Sequence, residues 1–393
     1  MKKRILVPGD TIGIVGGGQL GKNLITPIRH FGLNVAVLDP AESAPAGGMA
    51  DIHIKGAFND PRAYHELAKV SDVITYEFEH VDAHTLLELE KQGHIVHPNP
   101  SSLLVIQDKF KQQEAMKKAG ISLPNFAAMR DMKDLTEFFR QNGPFMLKST
   151  HGGYDGKGNF PVKTVADIIK ASEWMSNLKK GGAFAEQWVN YQKEISVIST
   201  RGQDGDSVFY PIAENSHLNS VLDITEAPAD ISHKTHDKAY QLAEQVNKVF
   251  PGVGTQCVEL FVGPNGEVDV NEVAPRVHNS GHYTIEATRT SQFENHIRAI
   301  AGYPLGKTNM THKHAVMKNI LGESGHKGKV KYTGINQAMA HGASVHIYGK
   351  KDVAPGRKMG HYTGVADSKQ AARNMIISSP IKAISEQGEE KGG

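Results

Sequence analysis

Apolar residues come in short bursts over the first hundred positions, and stretches with helical spacing separate the bursts. Thr11-Ile12-Gly13-Ile14-Val15, Asn34-Val35-Ala36-Val37-Leu38-Asp39 and Asp72-Val73-Ile74-Thr75-Tyr76 are almost unbroken apolar runs, the pattern of strands buried on both faces. Ile95-Val96 offers a fourth strand. A helical stretch runs to about His30, and Asp60-Pro61 supplies an N-cap and a first-turn proline for a helix through Val70. Strands that alternate with helices predict a parallel, doubly wound sheet.

The pattern then changes. A long helix is predicted from about Ser102 to Ala119, stopped by Gly120. From 121 to about 300 the spacing predicts a mixed α/β region with antiparallel strands at 145–149, 183–189, 194–200, 207–213, 255–262 and 267–273. Helices near 164–178, 235–249 and 284–301 separate them. Beyond Gly302-Tyr303-Pro304-Leu305-Gly306 a smaller unit carries strand candidates at 344–348 and 360–366.

Composition narrows the function classes. The 393 residues, 39% hydrophobic and 22% charged, describe an ordinary globular protein of two or three domains. Lys+Arg 44 against Asp+Glu 42 leaves +2, too balanced for a surface that holds nucleic acid or anionic lipid through a global positive field. The single cysteine, Cys257, excludes an internal disulfide and a thiolate metal cage, and reads as a small buried residue. No apolar run approaches a membrane span and the start has no long apolar leader core, so a cytoplasmic protein is expected. The oddity is 40 glycines, about one residue in ten where ~7% is usual.

Those glycines cluster. Gly16, Gly18 and Gly21 fit G-x-G-x-x-G between a strand and a helix, with Asp39 ending the next strand where a dinucleotide fold keeps its ribose acid. Glycine there lets the backbone approach an anion at a helix start, and Gln19 projects toward the same crevice. A nicotinamide-dependent oxidoreductase and a plain strand–helix turn both fit this motif alone. The second cluster, Lys148-Ser149-Thr150-His151-Gly152-Gly153-Tyr154-Asp155-Gly156-Lys157-Gly158-Asn159, has four glycines in seven positions after a strand-borne lysine. Its amides suit phosphates, although no Walker motif is present. A solvated hairpin tip is the alternative.

A third constellation spans Glu259 to Glu272 around Pro264-Asn265-Gly266. With Asn265-Gly266 as central turn residues, Pro264 pairs with Glu267 and Glu259 faces Glu272. Like charges across a ladder need an offset, and Mg2+ takes one or two carboxylates plus phosphate oxygens. Asn271 adds an oxygen beside them. Arg276, His278 and Asn279 follow at once and suit a small anion. A last basic cluster, Tyr348-Gly349-Lys350-Lys351 with Pro355-Gly356-Arg357-Lys358-Met359-Gly360-His361, suits a substrate phosphate.

Gly16-Gly17-Gly18-Gln19-Leu20-Gly21, Ile74-Thr75-Tyr76-Glu77-Phe78-Glu79, the 152–158 glycine loop, Asn271-Glu272-Val273-Ala274-Pro275-Arg276 with His278-Asn279-Ser280-Gly281-His282, and Gly356-Arg357-Lys358-Met359-Gly360-His361 occur in a telling order. In that order they resemble the N5-carboxyaminoimidazole ribonucleotide synthetases of the ATP-grasp superfamily, from about residue 11 to 365. The resemblance implies an α/β chain in three parts: a Rossmann-like domain at 1–101, an ATP-grasp domain at 102–308 and a small β-rich domain at 309–380. A disordered tail is expected at 381–393. It implies an ATP-dependent carbon–nitrogen ligase of purine synthesis that carboxylates 5-aminoimidazole ribonucleotide with bicarbonate, uses ATP and Mg2+, and forms a homodimer. Hand-over of product to a separate mutase is a further expectation.

By the same resemblance Lys109, Lys148, Gly153, Tyr154, Asp155, Gly156, Lys157, Gly158, Asn159, Glu186, Gln187, Trp188, Val189, Glu194, His217, Asn271 and Glu272 contact the nucleotide. Glu259 and Glu272 hold the metal, and Arg276, His278 and Asn279 form the bicarbonate pocket. From its place in the glycine loop, Asp155 is in addition the candidate for orienting or deprotonating the substrate amine. Gln19, Leu20, Glu77, Tyr154, Asp155, Lys157, Lys350 and Arg357 contact the ribonucleotide. Departures from the family pattern are Lys109 in place of a common arginine, the less basic Ser149-Thr150-His151, Gln187-Trp188, and Val277 in place of a proline. The chain lacks the mutase-type domain of bifunctional fungal and plant versions, so a bacterial stand-alone enzyme is expected. Rival readings are another ATP-grasp ligase, of the formate-dependent glycinamide ribonucleotide transformylase or biotin carboxylase type, and a non-catalytic nucleotide-binding regulator.

Overall fold

The computed structural model describes residues 4–153, 158–178 and 181–386. The first sheet is parallel, in the order Ile52–Ile54, Asn34–Leu38, Thr11–Val15, Val73–Tyr76. Its apolar runs are buried on both faces, as their lack of alternation required. On one side Leu20, Leu24, Ile25 and Ile28 of helix Gln19–His30 pack against Ile12, Ile14, Val35 and Val37. On the other, Tyr64 and Leu67 of helix Pro61–Lys69 and Leu86 and Leu89 of helix Ala83–Lys91 meet Val15, Leu38, Ile74 and Tyr76. Val96 adds only a bridge to Ile74. Ile52–Ile54, three residues between Asp51 and Lys55, is too short for a periodic signal.

Two further sheets enclose the centre of the molecule. One is antiparallel, in the order Phe126–Met129, Ala183–Gln187, Phe145–Ser149, Asn159–Val162. The other begins at Val268–Ala274 and runs through Gly254–Val262, Lys193–Arg201, Ala213–Leu218, Val221–Ala227, His314–Leu321 and Lys358–Ala366 to Ser344–Ile347. Ser207–Phe209 pairs with Lys193–Arg201 off this path. The sheet is continuous past residue 308, because Val221–Ala227 pairs with His314–Leu321. A small sheet of Asp352–Val353, Gly328–Thr333 and Lys382–Ser385 completes the C-terminal part.

Several expected elements are interrupted. The long helix is two, Pro100–Ile106 and Lys109–Lys118, because the Asp108 carboxylate accepts the Phe110 and Lys111 amides at 3.1 Å and starts the second afresh. The 284–301 helix divides likewise into Thr284–Ala287 and Gln292–Ile300, capped by Ser291. The strand expected at 207–213 ends at Phe209 before Pro211, which has no ladder donor, and a new one starts at Ala213. The expected disordered tail is ordered at its start: Lys382–Ser385 is a strand with Ala383 fully buried. Residues 387–393 lie outside the described residues.

Candidate active site

A cavity of about 800 Å3 opens where the three larger sheets meet. Gln19 and Leu20 line it from the first helix start, and Glu79 and His80 from the segment after strand Val73–Tyr76. Lys148, Asn159, Glu186, Gln187, Trp188 and Val189 line it from the four-stranded sheet. Glu194, His217, Glu259, Asn271 and Glu272 come from the long sheet, and Lys109, Arg276, His278, Asn279 and Lys358 complete the wall. Seventeen positions named from sequence therefore share one cavity. Gly153, Gly158, Glu77, Lys350 and Arg357 are not on its wall. Tyr154, Asp155, Gly156 and Lys157 lie outside the described residues. Glu79 and Lys358 belong to motifs of the sequence without a role of their own there, and His80 to none; the rule that ligands gather at the carboxyl ends of parallel strands points to Glu79 and His80.

The acidic pair sits on the hairpin of Gly254–Val262 and Val268–Ala274. Its turn is centred on Pro264-Asn265, with the Gly266 amide bonded to the Gly263 carbonyl at 3.0 Å and Gly266 in the left-handed region. This differs by one residue from the expected Asn265-Gly266 turn, because proline presets the first central dihedral and glycine takes the positive φ that follows. Leu260 consequently faces Val270, yet Glu259 faces Glu272, because Asn271 is an extra, bulged residue. The pairing of the two glutamates is as expected, by a different route.

Carboxylates and cations are interleaved in the wall. Lys109 Nζ lies 3.1 Å from each oxygen of Glu272, and Lys148 is paired with Glu186. Arg276 donates from Nε to Glu79 at 2.6 Å and from Nη1 to the Val277 carbonyl at 3.0 Å. His278 Nε2 is 3.4 Å from Glu259, and His217 Nε2 is 3.6 Å from Glu194. Burial, then the charges of Arg276 and Lys358, push His278 well below its ordinary value, so its ring is neutral. Burial first and the charge of Glu272 second push Glu194 up to about 7. Burial and then the charges of Glu194 and Glu272 push Glu259 well above the carboxylate range.

At Glu259 burial and like charge outweigh the positive charges of Arg276 and Lys109, and at Glu194 they outweigh that of Lys148. Their hard oxygen donors fit a hard divalent cation that shares its shell with phosphate oxygens. Among the described residues no group of three or more His, Cys, Asp or Glu is arranged to hold a metal by itself, so the two glutamates could supply only part of a shell.

The first glycine cluster has a different occupant from the expected one. The Glu77 carboxylate accepts the amides of Gly18 and Gly21 at the start of helix Gln19–His30, and Asp39 accepts those of Gly17 and Ala41 at 2.8 Å. A Cβ on Gly18 would stand 2.5 Å from Glu77 Oε1. The amides that would hold a dinucleotide's pyrophosphate are thus taken by the protein's own acid, and Asp39 braces the loop. This removes the basis for the oxidoreductase reading. Glu77 fixes the turn from which Gln19 and Leu20 reach the cavity.

The C-terminal basic cluster is tied down beside it. Lys350 donates to the Lys358 carbonyl at 2.7 Å and Arg357 to the Asp352 carbonyl at 2.6 Å. Lys22, from the first helix, donates to the Ile347 and Tyr348 carbonyls at 2.8 and 3.1 Å. Cys257 is buried, with its thiol pushed far up by burial, as befits a packing residue. No helix among the described residues is long and apolar enough to cross a membrane.

Comparison with known proteins agrees with this geometry. Residues 10–107 match the ribonucleotide synthetase preATP-grasp domain, 114–293 the ATP-grasp domain, and 315–375 the phosphoribosylaminoimidazole carboxylase C-terminal domain. The N5-carboxyaminoimidazole ribonucleotide synthase of Bacillus subtilis is 40% identical over 92% of this chain and 93% of its own length. The crystal structure of N5-carboxyaminoimidazole ribonucleotide synthetase from Thermotoga maritima superposes with a TM-score of 0.86 at 41% identity, over 96% of this chain and all of the other. An Aspergillus clavatus N5-carboxyaminoimidazole synthase, solved with ADP and 5-aminoimidazole ribonucleotide, superposes at 0.84 with 33% identity, over 94% of this chain and 97% of the other. With that identity over nearly the whole length, the chain belongs to the N5-carboxyaminoimidazole ribonucleotide synthase family of the ATP-grasp superfamily.

Proposed function

We propose that this cavity carboxylates 5-aminoimidazole ribonucleotide: ATP and bicarbonate form carboxyphosphate, and the exocyclic amine then takes the carboxyl group, leaving ADP and phosphate. The observation that carries the reading is the convergence of Arg276 and the Glu259–Glu272 pair with Lys109 and Lys148 in one cavity.

Bicarbonate is a poor electrophile, because anionic charge shields its carbon. Phosphorylation makes a reactive mixed anhydride, and phosphoryl transfer needs alignment and charge neutralisation more than covalent help. Lys109 and Lys148 would face the phosphates, with the 153–159 segment, Glu186 to Val189, Glu194, His217 and Asn271 around the nucleotide. Mg2+ bound by Glu259 and Glu272 would neutralise charge on the transferring phosphoryl group. Arg276, held by Glu79, presents its remaining guanidinium N–H groups as a fork for bicarbonate. His278 accompanies it as a neutral ring and Asn279 as an amide, so anion binding needs no change of protonation there. Gln19, Leu20, Glu77, Lys350 and Arg357, with Tyr154, Asp155 and Lys157, would serve the ribonucleotide, and Asp155 its amine. A cytoplasmic homodimer that passes its labile product to a mutase completes the reading.

The test is ATP hydrolysis with and without bicarbonate and candidate acceptors. Stimulation by 5-aminoimidazole ribonucleotide, and by neither glycinamide ribonucleotide with formate nor biotin, is the expected result. Stimulation by one of the latter would transfer the protein to another ligase class, and stimulation by none would make it a nucleotide-binding regulator.

A further inference from the structure

We propose that Lys109 is a built-in competitor for the divalent cation: its ammonium and the metal exclude one another at the Glu272 carboxylate, so the cation enters by exchange, with the ammonium moving to the nucleotide phosphates. The inference rests on reading Glu259 and Glu272 as the cation's ligands.

The geometry is that of a stand-in ion. Lys109 Nζ is equidistant, at 3.1 Å, from both Glu272 oxygens, on the partly exposed side of a carboxylate that faces Glu259 across the ladder. A cation on those oxygens would lie within contact distance of the ammonium, and two positive charges that close repel strongly where water is partly excluded. The lysine's backbone is fixed, while its long side chain has four rotatable bonds through which the ammonium can leave Glu272. Lys109 is the first residue of helix Lys109–Lys118, and its amide donates to the Thr150 carbonyl at 2.8 Å. Thr150 directly follows strand Phe145–Ser149, which carries Lys148, so the helix start that bears Lys109 is tied to the Lys148 side of the cavity. A lysine is apt for such an exchange: it is a compact charge with free rotation, whereas a guanidinium fork would bind the carboxylate in two parallel bonds.

Exchange also accounts for the charge pattern of the wall. Glu194, Glu259 and Glu272 form an acidic wall, and Lys109 and Lys148 are both seated on carboxylates. Bringing in a divalent cation with its nucleotide swaps one neutralising partner of Glu272 for another, so that carboxylate is paired at either stage.

The experiment is titration of the full-length protein with Mn2+ in the absence of nucleotide, with free ion read by electron paramagnetic resonance. The variants are Lys109→Met, Lys109→Arg and Glu272→Gln, each checked for native melting. Lys109→Met is expected to bind Mn2+ more tightly than the unaltered protein, on the order of tenfold, the worth of one partly buried ion pair. Lys109→Arg, which keeps a cation in place, should bind no more tightly than the unaltered protein, and Glu272→Gln should bind more weakly. Unchanged or weaker binding by Lys109→Met alongside weaker binding by Glu272→Gln would overturn the exchange and leave the cation site standing. Unchanged binding by Glu272→Gln would overturn both.

Discussion

Arg276 and Glu79 are bonded across the molecule, Nε to carboxylate at 2.6 Å, which joins the carboxyl end of the first sheet to the segment that follows the acidic hairpin. Burial opposes ionisation of Glu79, but the Arg276 charge and hydrogen bond overcome it and hold the carboxyl far below its usual range. The pair fixes the plane of the guanidinium fork proposed to receive bicarbonate.

Glu79→Gln should therefore lower kcat by about ten- to a hundredfold with a small effect on the KM for ATP, because alignment is lost while the nucleotide walls remain. Steady-state kinetics with saturating bicarbonate check this, and an unchanged kcat would remove Glu79 from the machinery. Glu79→Ala should in addition cost about 3–5 kcal/mol of stability, read by denaturant unfolding, since it leaves a buried guanidinium unpaired.

Glu272→Gln should reduce turnover at least a hundredfold, roughly 3 kcal/mol of transition-state stabilisation, if the carboxylate carries a catalytic cation. Phosphate release under saturating substrates is the measurement. Turnover near that of the unaltered protein would show that the acidic hairpin is structural.

The occupied glycine turn makes a paired stability prediction. Gly18→Ala would put a methyl group 2.5 Å from Glu77 Oε1, whereas Gly48→Ala meets nothing within 4 Å. Gly18→Ala should destabilise by about 1–3 kcal/mol through overpacking and a disturbed buried hydrogen bond. Gly48→Ala should stay within about 0.5 kcal/mol of the unaltered protein. Equal midpoints in urea for the two variants would contradict the role given to Glu77.

Acid stability should be governed in part by buried histidines. His296 Nδ1 accepts the Thr255 amide at 3.0 Å, so its one proton is on Nε2, 2.9 Å from the Thr75 hydroxyl, and a second proton has no place. Burial pushes His296 and His282 down to about 3 and His97 to about 4, from an ordinary 6.5. Below pH 6.5 the unfolded chain takes up protons that the folded chain refuses. Stability is then full above that pH and lost as pH falls toward 4 and 3. Together the three should cost about 4 kcal/mol between pH 7 and 5.5. Denaturation midpoints at the two pH values give the sign, and greater stability at pH 5.5 would refute it.

What could be read from the sequence was mostly local. The apolar runs of the first sheet announce themselves, because strands buried on both faces need no partner to be recognised. The helix break at Gln107-Asp108 is hidden, since both residues are compatible with helical spacing and only the cap made by Asp108 shows a restart. The hairpin illustrates a cancellation: the turn is one residue earlier than the Asn-Gly signal suggests, and the bulge at Asn271 restores the glutamate pair. Glu77 could not be foreseen as the anion of the glycine turn, because it comes from 56 residues beyond Gly21. The clustering of cavity residues followed from motif order rather than from spacing, since Gln19, Lys148 and Arg276 are far apart in the chain.

The ladder that passes residue 308 bears on how this protein can be taken apart. Val221–Ala227 is an inner strand only because His314–Leu321 lies against it. A chain cut before that strand would present a row of unpaired amides and carbonyls along Val221–Ala227, a template for sticking to a neighbour edge to edge. Fragments ending near 308 should therefore be poor starting material for crystals or assays, and a shorter protein would need a charge, a proline or a substitute strand at that seam.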